Sequence, residues 1–561
     1  MKNPAFLIGV LIVIAITAFS FLPSLGNDFM DGRDDASYVT ENDAIKELSA
    51  DNIRKIFTSG FLGHYCPIVM MSFAAEHHFF GLDPFYYHLS NFILHLLITA
   101  LVFYFLYLIS SGSVITAFVA SLLFGIHPLQ VEVVAWISER KELVCLLFYM
   151  LSLISYVKYI AGKKRSYYAL SIAFGMLALF SKIMAVTIPF IFILLDYLYG
   201  RKIDRRSLLE KIPLVAAGII LGFVNLYFEI DVGATRYSGY FLGRVYFLSK
   251  TLFFYFGKLF KPVNLSAYYR YYHIPVENLK EIYFYIAGLV LLAGAVIYSR
   301  RYTKRVVFGS CFFLITILPT MELIPHGSAF AADRYMYFPS IGIFYMIALG
   351  IARILRLEGA RAKALKALVI GLMVVIIPVL SVLTRARCRV WKDTVTLLTD
   401  VMKKDPTQST MPYRNIGIYY EKKGDIDNSI EYFKKAVKIA PYRDGLMDNL
   451  ERAYNNKKFL IRQEKGDAAD VSAVGRDKAV FLNEIGVAQG KKGDLDGSII
   501  FFEGAVKAYP DHAETYNNLG FAYFLKKDHV RAEENFKKAL EIDPGHERAK
   551  INLKTMQGYE K

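Results

Sequence analysis

The sequence predicts an all-α protein in two parts, a polytopic helical membrane domain followed by a stack of helical repeats. Apolar residues make up 55% of the 561-residue chain, more than an ordinary soluble domain contains. Before residue 384 they gather in runs of about 17–20 residues, the length at which a helix crosses a bilayer core. After Thr384 the sequence becomes rich in Lys, Asp, Glu, Asn and Tyr. We therefore expect a membrane domain over residues 1–384 and a soluble domain over residues 385–561.

About eleven apolar segments are candidate transmembrane helices. They lie near 5–23, 88–110, 114–127, 142–160, 167–181, 184–199, 212–228, 282–299, 306–321, 337–353 and 367–384. The first segment lacks the small-residue cleavage site of a signal peptide, so we expect it to be retained. A further stretch, 245–261, carries Lys250 and Lys258 on one helical face, which favours an interfacial or re-entrant helix over a span. The segment 44–61 is amphipathic, and we expect it to lie on the membrane surface.

Charge in the short connections predicts the orientation of the spans. The basic connections are 162–166, 200–211, 300–305 and 353–366, and by the positive-inside rule they face the cytoplasm together with the short N-terminus. The alternate connections, around 24–87, 128–141, 182, 229–281 and 322–336, then lie outside. With eleven spans, the soluble domain is extracytoplasmic as well.

The overall charge and the cysteines indicate little about function. The net charge of +16 comes from the basic connections and from cations mixed with acids in the soluble domain, so we expect no nucleic-acid partner. Four cysteines show neither a CxxC motif nor a metal-ligand spacing. No metal site or cofactor is predicted, although the sequence leaves a divalent metal open. Cys66 and Cys388 would both face outside, and a disulfide between them is the less favoured alternative to free thiols.

The soluble domain contains a repeated pattern. Segments 413–441, 482–510 and 516–544 align without gaps, each with an apolar residue and Gly on a first helix and Phe and Ala on a second. This is the tetratricopeptide repeat pattern, in which small residues let the helices approach and Phe fills the gap to the next unit. Repeats are predicted near 410–443, 479–512 and 513–546, with a degenerate unit at 444–477 and a lone capping helix at 394–406. Such stacks bind peptides on a concave surface; self-association is the alternative.

Polar residues of the membrane domain gather at the predicted outer ends of the spans. Taken singly, histidines at span ends hydrogen-bond neighbouring helices, cations reach toward headgroups and aromatic residues form interfacial belts. Their convergence on one side of the membrane favours a functional site. The set comprises Asp34, Asp35, His88, Asn91, His95, His127, Glu132, Glu139, Arg140, Lys141, Glu142, Lys182, Asp333, Arg334, Tyr335 and Tyr337, with Lys250 and Lys258 nearby.

Carboxylates, cations and apolar grooves together suit one kind of chemistry. A carboxylate takes a proton from an acceptor hydroxyl, Arg and Lys stabilise a phosphate as it leaves, and grooves between spans hold a lipid tail. Nucleotide sugars are cytoplasmic, so an outward-facing enzyme needs a lipid-borne donor. The combination indicates sugar transfer from a polyprenyl-phosphate carrier.

Five motifs, in order along the chain, resemble a known family. "DDASYVTEN", "GLDPFYYHLSNFILH", "HPLQVEVVAWISERKE", "SKIMAVTIP" and "ADRYMYFPSIG" look like those of GT-C glycosyltransferases with C-terminal tetratricopeptide repeats, the bacterial relatives of the transmembrane and TPR-containing protein O-mannosyltransferases. The resemblance implies a GT-C fold in the bacterial inner membrane. It also implies a polyprenyl-phosphate monosaccharide as donor, a single inverting displacement, and a Ser or Thr acceptor on an exported protein held by the repeats.

The resemblance also implies roles for individual residues. The acidic pair of the first outer loop is the catalytic motif of the family, with Asp34 as general base and Asp35 orienting it or the acceptor. The remaining assignments are hypotheses by position: His127, Glu132, Arg140 and Lys141 at the sugar, Lys182 and Arg334 at the phosphate, Tyr335 and Tyr337 along the lipid groove, and His88, Asn91, His95, Lys250 and Lys258 in support.

Two departures from the family pattern affect these assignments. Gly32 and Arg33 precede the acidic pair where an aromatic residue is usual, and a cation beside Asp34 would make it a weaker base. The stretch "HYCPI" (64–68) replaces an Arg-Pro-Leu of relatives, so His64 or another cation would have to handle phosphate. The alternatives are a non-catalytic scaffold, which the acidic pair opposes, a glycolipid-directed transferase, and a transporter, for which no internal symmetry is visible.

Overall fold

A computed structural model describes residues 4–31, 33–231, 241–270, 279–321, 329–404 and 409–559. Their regular secondary structure is helical except for one short pair of strands, as the sequence predicts. The chain divides into two compact units, Met1–Lys404 and Asp405–Lys561. The helix at 394–404, predicted to cap the repeats, belongs to the first unit.

The first unit contains α1 to α17. Their bounds are Pro4–Phe21 (α1), Ala50–Thr58 (α2), Pro67–Phe80 (α3), Pro84–Ile109 (α4), Val114–Ile126 (α5), Val131–Ala135 (α6), Arg140–Gly162 (α7), Arg165–Leu179 (α8), Ile188–Leu198 (α9), Arg205–Leu209 (α10), Ile212–Asp231 (α11), Phe241–Phe260 (α12), Leu279–Ser299 (α13), Lys304–Ile317 (α14), Ser340–Leu355 (α15), Ala360–Val390 (α16) and Thr394–Lys404 (α17). Strands Tyr269–Arg270 (β1) and Ala329–Ala331 (β2) pair antiparallel.

Every predicted span coincides with a helix or a helix pair, but fewer than eleven are long and apolar enough to cross a membrane. Five helical stretches within the described residues meet that test, and α5 with the 54° bend into α6 makes a sixth. The five are Pro4–Gly26, Pro84–Ile109, Ile137–Gly162, Arg205–Ile230 and Ala360–Val390. Helices α8, α9, α14 and α15 are shorter than the roughly 20 residues that a bilayer core requires. The chain is a membrane protein, and its sidedness remains a prediction.

Two surface helices were predicted, and both segments form helices. The stretch 245–261 lies in α12, which is not among the candidate spans. The stretch 44–61 is helical in α2, where Ile56 is buried. Parts of the predicted outer connections, among them 232–240, 271–278 and 322–328, lie outside the described residues. The pairing of Cys66 with Cys388 does not occur, because both are buried free thiols.

The second unit is a series of helix pairs. Its helices are Thr410–Lys422 (α18), Ile426–Ile439 (α19), Leu446–Lys465 (α20), Ser472–Lys491 (α21), Leu495–Ala508 (α22), Ala513–Leu525 (α23), His529–Ile542 (α24) and Glu547–Tyr559 (α25). The conserved spacing of Gly and Phe has a steric basis: a Cβ at Gly486 would lie 2.5 Å from the ring of Phe502, and one at Gly520 would lie 2.8 Å from Phe536. Each Phe therefore packs on the glycine of its own repeat.

Candidate active site

The loop that follows α1 contains one fully buried acid, Asp35. Its carboxylate accepts hydrogen bonds from the backbone N–H of Met30 at 2.8 Å and of Ser138 at 2.9 Å, and from the hydroxyl of Ser138. Ser138 lies in the single turn Ile137–Glu139 that leads into α7. Asp35 thus fastens the loop to the start of a membrane helix.

Burial raises the pKa of Asp35 to about 6, and the three donors moderate the rise because they stabilise the ionised form. Both carboxylate oxygens are occupied by donors, so Asp35 has no free oxygen for a substrate. This geometry suits the positioning role predicted for Asp35 rather than direct contact with an acceptor.

Asp34 is the contrasting neighbour. Its side chain is half-buried and makes no hydrogen bond to any described residue. The charges that act on it belong to Arg33 and Lys141. Among the two acids of the pair, Asp34 is therefore the one with free carboxylate oxygens beside cations.

A row of buried charges lies next to this loop. Arg334 donates its backbone N–H to Glu132 at 3.1 Å and its guanidinium to the same carboxylate, and its Nε lies 3.4 Å from Glu139. Glu139 in turn lies 3.4 Å from Lys141, whose ammonium sits 5.0 Å from the centre of the Tyr38 ring. The structure thus brings Arg334 together with three residues of the 127–142 segment that the sequence also selected.

Lys182 extends this row through an ion pair with Glu142. Its charge also acts on Glu139 and on His64. The protein around the ring and the charges of Lys141 and Lys182 lower the pKa of His64, although its side chain is exposed. His64 is therefore neutral at physiological pH and does not supply the cation that the family pattern required.

Arg140 is not in this row, although the sequence assigned it to the sugar. Its Nε donates to Asn91 at 2.8 Å, one terminal nitrogen to Glu76, and the other to the carbonyl of Tyr87 at 2.9 Å. Asn91 also donates to the carbonyl of Trp136 at 3.3 Å. This buried network joins α3, α4 and α7, so Arg140 and Asn91 act as braces between helices.

The predicted histidines also have structural partners. The Nδ1 of His95 lies 2.9 Å from the hydroxyl of Tyr337, which is fully buried and so does not line an exposed lipid groove. The Nδ1 of His127 accepts from Leu129 N–H, and its Nε2 lies 3.0 Å from the carbonyl of Leu259. A ring nitrogen of His88 lies 3.4 Å from a backbone carbonyl. These side chains hold helices and turns together.

The remaining predicted residues lie at the periphery. Lys258 donates to the carbonyls of residues 263 and 264 at 3.0 and 2.9 Å and so closes the turn after α12. Lys250 is half-buried on the same helix. Tyr335 is partly buried, and the guanidinium of Arg334 lies 5.0 Å from its ring centre.

Sequence reasoning missed the aromatic wall of the site. Trp136 and Trp391, the two tryptophans of the chain, stack with ring centres 5.6 Å apart. The guanidinium of Arg33 lies 4.1 Å from the ring centre of Trp136, and that of Arg334 lies 5.6 Å from it. The signal in the sequence was the rarity of tryptophan, since 15% of the residues are aromatic but two are tryptophans. In the structure these two residues, 255 positions apart, meet at one point.

Comparison with known proteins supports the resemblance seen in the motifs. Residues 413–443 and 513–546 match the tetratricopeptide repeat family. The protein O-mannosyl-transferase TMTC3 of Homo sapiens is 22% identical over 91% of this chain and 62% of its own length. The protein O-mannosyl-transferase tmtc2 of Xenopus laevis is 34% identical over 27% of this chain and 19% of its own length.

The chain is similar to protein O-mannosyl-transferases over most of its length. It spans about three-fifths of the length of TMTC3, so the activity of those whole proteins is a proposal for this one. Among solved structures, ArnT from Cupriavidus metallidurans bound to undecaprenyl phosphate aligns over 84% of this chain and 80% of its own, with 12% identity and a TM-score of 0.37. A score this low carries no argument about fold or ligand.

Proposed function

We propose that the protein is an integral-membrane inverting glycosyltransferase that moves a monosaccharide from a polyprenyl-phosphate carrier to a hydroxyl of an exported protein. The observation that carries this proposal is the difference in hydrogen bonding between two adjacent acids. Asp35 is buried with both oxygens occupied, while Asp34 keeps its carboxylate free beside cations. A positioned, unoccupied carboxylate is what a general base requires.

In the proposed reaction, the acceptor oxygen attacks the anomeric carbon of the donor sugar as Asp34 takes the hydroxyl proton. The bond between that carbon and the phosphate oxygen breaks, and the polyprenyl phosphate leaves with the electron pair. A single displacement inverts the anomeric configuration, as in glycosidases whose base acts on the opposite face of the ring. Positive charge beside the leaving oxygen stabilises the transition state.

The buried charge row serves this step by fixing the cations. Glu132 and Glu139 hold Arg334, and Glu142 holds Lys182, so their positions do not depend on a bound substrate. Such preorganisation avoids reorganisation at the moment of reaction. We propose that Lys141 contacts the sugar, that Glu132 acts through its hold on Arg334, and that Arg334 and Lys182 contribute to the field at the phosphate.

The repeat unit supplies the second part of the proposal, a peptide-binding surface for the acceptor protein. The two repeat matches and the names of the relatives support it, since stacked helical repeats present concave peptide-binding surfaces. The acceptor is then a Ser or Thr in an extended segment delivered to Asp34.

The test is a transfer assay with the full-length protein in liposomes, a panel of polyprenyl-phosphate monosaccharides and a Ser/Thr-rich peptide, followed by peptide mass spectrometry. Asp34→Asn should lower the transfer rate by about 10²–10⁴-fold, the usual contribution of a general base. Asp43→Asn, an exposed acid of the same loop, is the matched control and should transfer at the wild-type rate. Wild-type transfer by Asp34→Asn would eliminate Asp34 as the base.

A further inference from the structure

We infer that Arg33 binds the phosphate group of the lipid donor, held in place by Trp136 instead of by an acidic partner. The inference rests on the proposed function, because the ligand is the phosphate of its donor. It assigns a role to the residue by which this chain departs from the family pattern, and it moves the main phosphate contact away from Arg334 and Lys182.

The first observation is that the other cations are already paired. Arg334 is bound to Glu132 and lies 3.4 Å from Glu139, and Lys182 is paired with Glu142. Each of these cations is neutralised by a buried carboxylate, so a phosphate would have to compete with that acid. Arg33 differs, because its guanidinium forms no hydrogen bond or ion pair with a described residue.

The second observation is how Arg33 is fixed. Its guanidinium carbon lies 4.1 Å from the ring centre of Trp136 and 5.9 Å from that of Trp391. Stacking on an indole face stabilises a guanidinium without using its N–H groups, so the edge of the fork remains available. An arginine fork presents its donors in the geometry that binds phosphate oxygens in pairs.

The third observation is that donors in this wall lack acceptors. The indole N–H groups of Trp136 and Trp391 are buried, and neither has a hydrogen-bond partner among the described residues. A buried donor without a partner destabilises a fold, because its bond to water is lost and not replaced. The two indole rings beside Arg33 therefore have N–H groups that no described residue accepts from. This is expected where the oxygen atoms of a ligand act as acceptors.

The fourth observation is the position of Arg33 beside the proposed base. Asp34 follows it directly, and the charges that act on Arg33 include Asp34, Glu132 and Arg334. A phosphate on Arg33 would therefore lie beside the carboxylate that receives the acceptor proton, which is the arrangement a single displacement needs. Burial lowers the pKa of Arg33, but a guanidinium is basic enough to stay charged inside a protein.

The chain provides its own reporter for this site, because both of its tryptophans are in the wall. We would titrate the full-length protein in detergent with farnesyl phosphate and follow tryptophan emission, with farnesol and inorganic phosphate as separate arms. Wild-type protein should give a saturable change with farnesyl phosphate. Equal affinity for farnesol or for inorganic phosphate would overturn the assignment, since the site would then read only the tail or any free phosphate.

Arg33→Gln should weaken farnesyl phosphate binding by about tenfold or more, the effect of losing a charge-assisted hydrogen bond. Arg33→Lys, which keeps the charge but loses the planar fork, should fall between that variant and wild type. Arg301→Gln removes another guanidinium that lies on an aromatic ring, that of Tyr298, and should bind normally. Wild-type affinity in both Arg33 variants would overturn the inference.

Asp34→Asn separates this inference from the proposed function. It should bind farnesyl phosphate at least as tightly as wild type, because a negative charge beside the phosphate is removed, while losing transfer. If no sugar is transferred by any form of the protein but binding still depends on Arg33, the proposed reaction fails and the phosphate site stands. If transfer requires Asp34 and binding ignores Arg33, the reaction stands and the assignment of Arg33 fails.

Discussion

The ion pair between Arg334 and Glu132 in the first unit and the pair between Lys526 and Asp496 in the second differ in burial. The first joins residues 202 positions apart and leaves the Glu132 side chain 1% exposed. The second joins residues 30 positions apart, with side chains 40% and 79% exposed. Buried pairs are costly to form and more costly to break, whereas exposed pairs contribute little. The first unit retains buried charges whose desolvation is costly, as expected where a catalytic site needs charges in fixed positions.

The largest effect is expected from breaking the buried pair. Glu132→Gln should lower the free energy of unfolding by about 3 kcal/mol, because it leaves the Arg334 charge without its main partner. This value is low for the removal of one partner of a buried ion pair, because Glu139 remains 3.4 Å from Arg334. Thermal unfolding in detergent, followed by tryptophan emission, measures it.

The double variant Glu132→Gln/Arg334→Met is the control for this prediction. Removing both charges should recover part of the lost stability, because the uncompensated cation is gone. If the double variant is as unstable as the sum of the two single variants, the pair is not coupled as described.

A pH titration tests the second buried acid. The folded state keeps the proton of Asp35 up to about pH 6, while an unfolded carboxyl releases it near pH 4. The free energy of unfolding should therefore fall as the pH rises through this window, by about 3 kcal/mol, since the two pKa units correspond to about 1.4 kcal/mol each. Asp35→Asn should lack this component, and parallel curves of midpoint against pH for the two proteins would refute it.

In the repeat unit, the positions most sensitive to substitution are those where a larger side chain would clash with a neighbour. Gly486→Ala places a methyl group 2.5 Å from the ring of Phe502 and should destabilise the unit by about 1–2 kcal/mol, after the gain in helix propensity is subtracted. Gly504→Ala is the matched control, because its nearest neighbour would lie at 3.4 Å. Proteolysis of the repeat unit measures the stability of both variants, and Gly504→Ala should be neutral or stabilising. Equal sensitivity of the two variants to protease would disprove the steric reason.

The smallest effect is expected at the exposed pair. Lys526→Ala should change the stability of the repeat unit by less than about 1 kcal/mol, and the change should shrink at high salt. A loss as large as that of Glu132→Gln would remove the contrast between the units.

The same contrast explains what could be predicted from the sequence. The Gly486–Phe502 contact follows from a local pattern that recurs along the chain, so spacing alone predicted the repeats. The elements of the first unit followed from apolar runs, and the gathering of Glu132, Lys141 and Arg334 followed from placing polar groups at span ends. Which of these residues pair with one another could not be predicted from the sequence, because pairing depends on how distant loops fold together.

The structural partners of individual residues were hidden from the sequence for the same reason. Arg140 was assigned to the sugar by its position, and the structure places Glu76 against its guanidinium. Tyr337 was expected along a lipid groove, but His95 from α4 binds its hydroxyl in the interior. Arg33 looked like a hindrance to Asp34 because the indole that holds it comes from another segment.

The stacked tryptophans have a practical consequence for shortening the chain. Trp391 and Arg387 lie beyond Thr384, where composition alone would divide the protein, and Arg387 binds Asp400 of α17 at 2.9 Å. Cutting at residue 384 would therefore strip one face from Trp136 and leave the wall behind Arg33 open to water. A membrane-only version of this protein has to extend to Lys404, where the first compact unit ends.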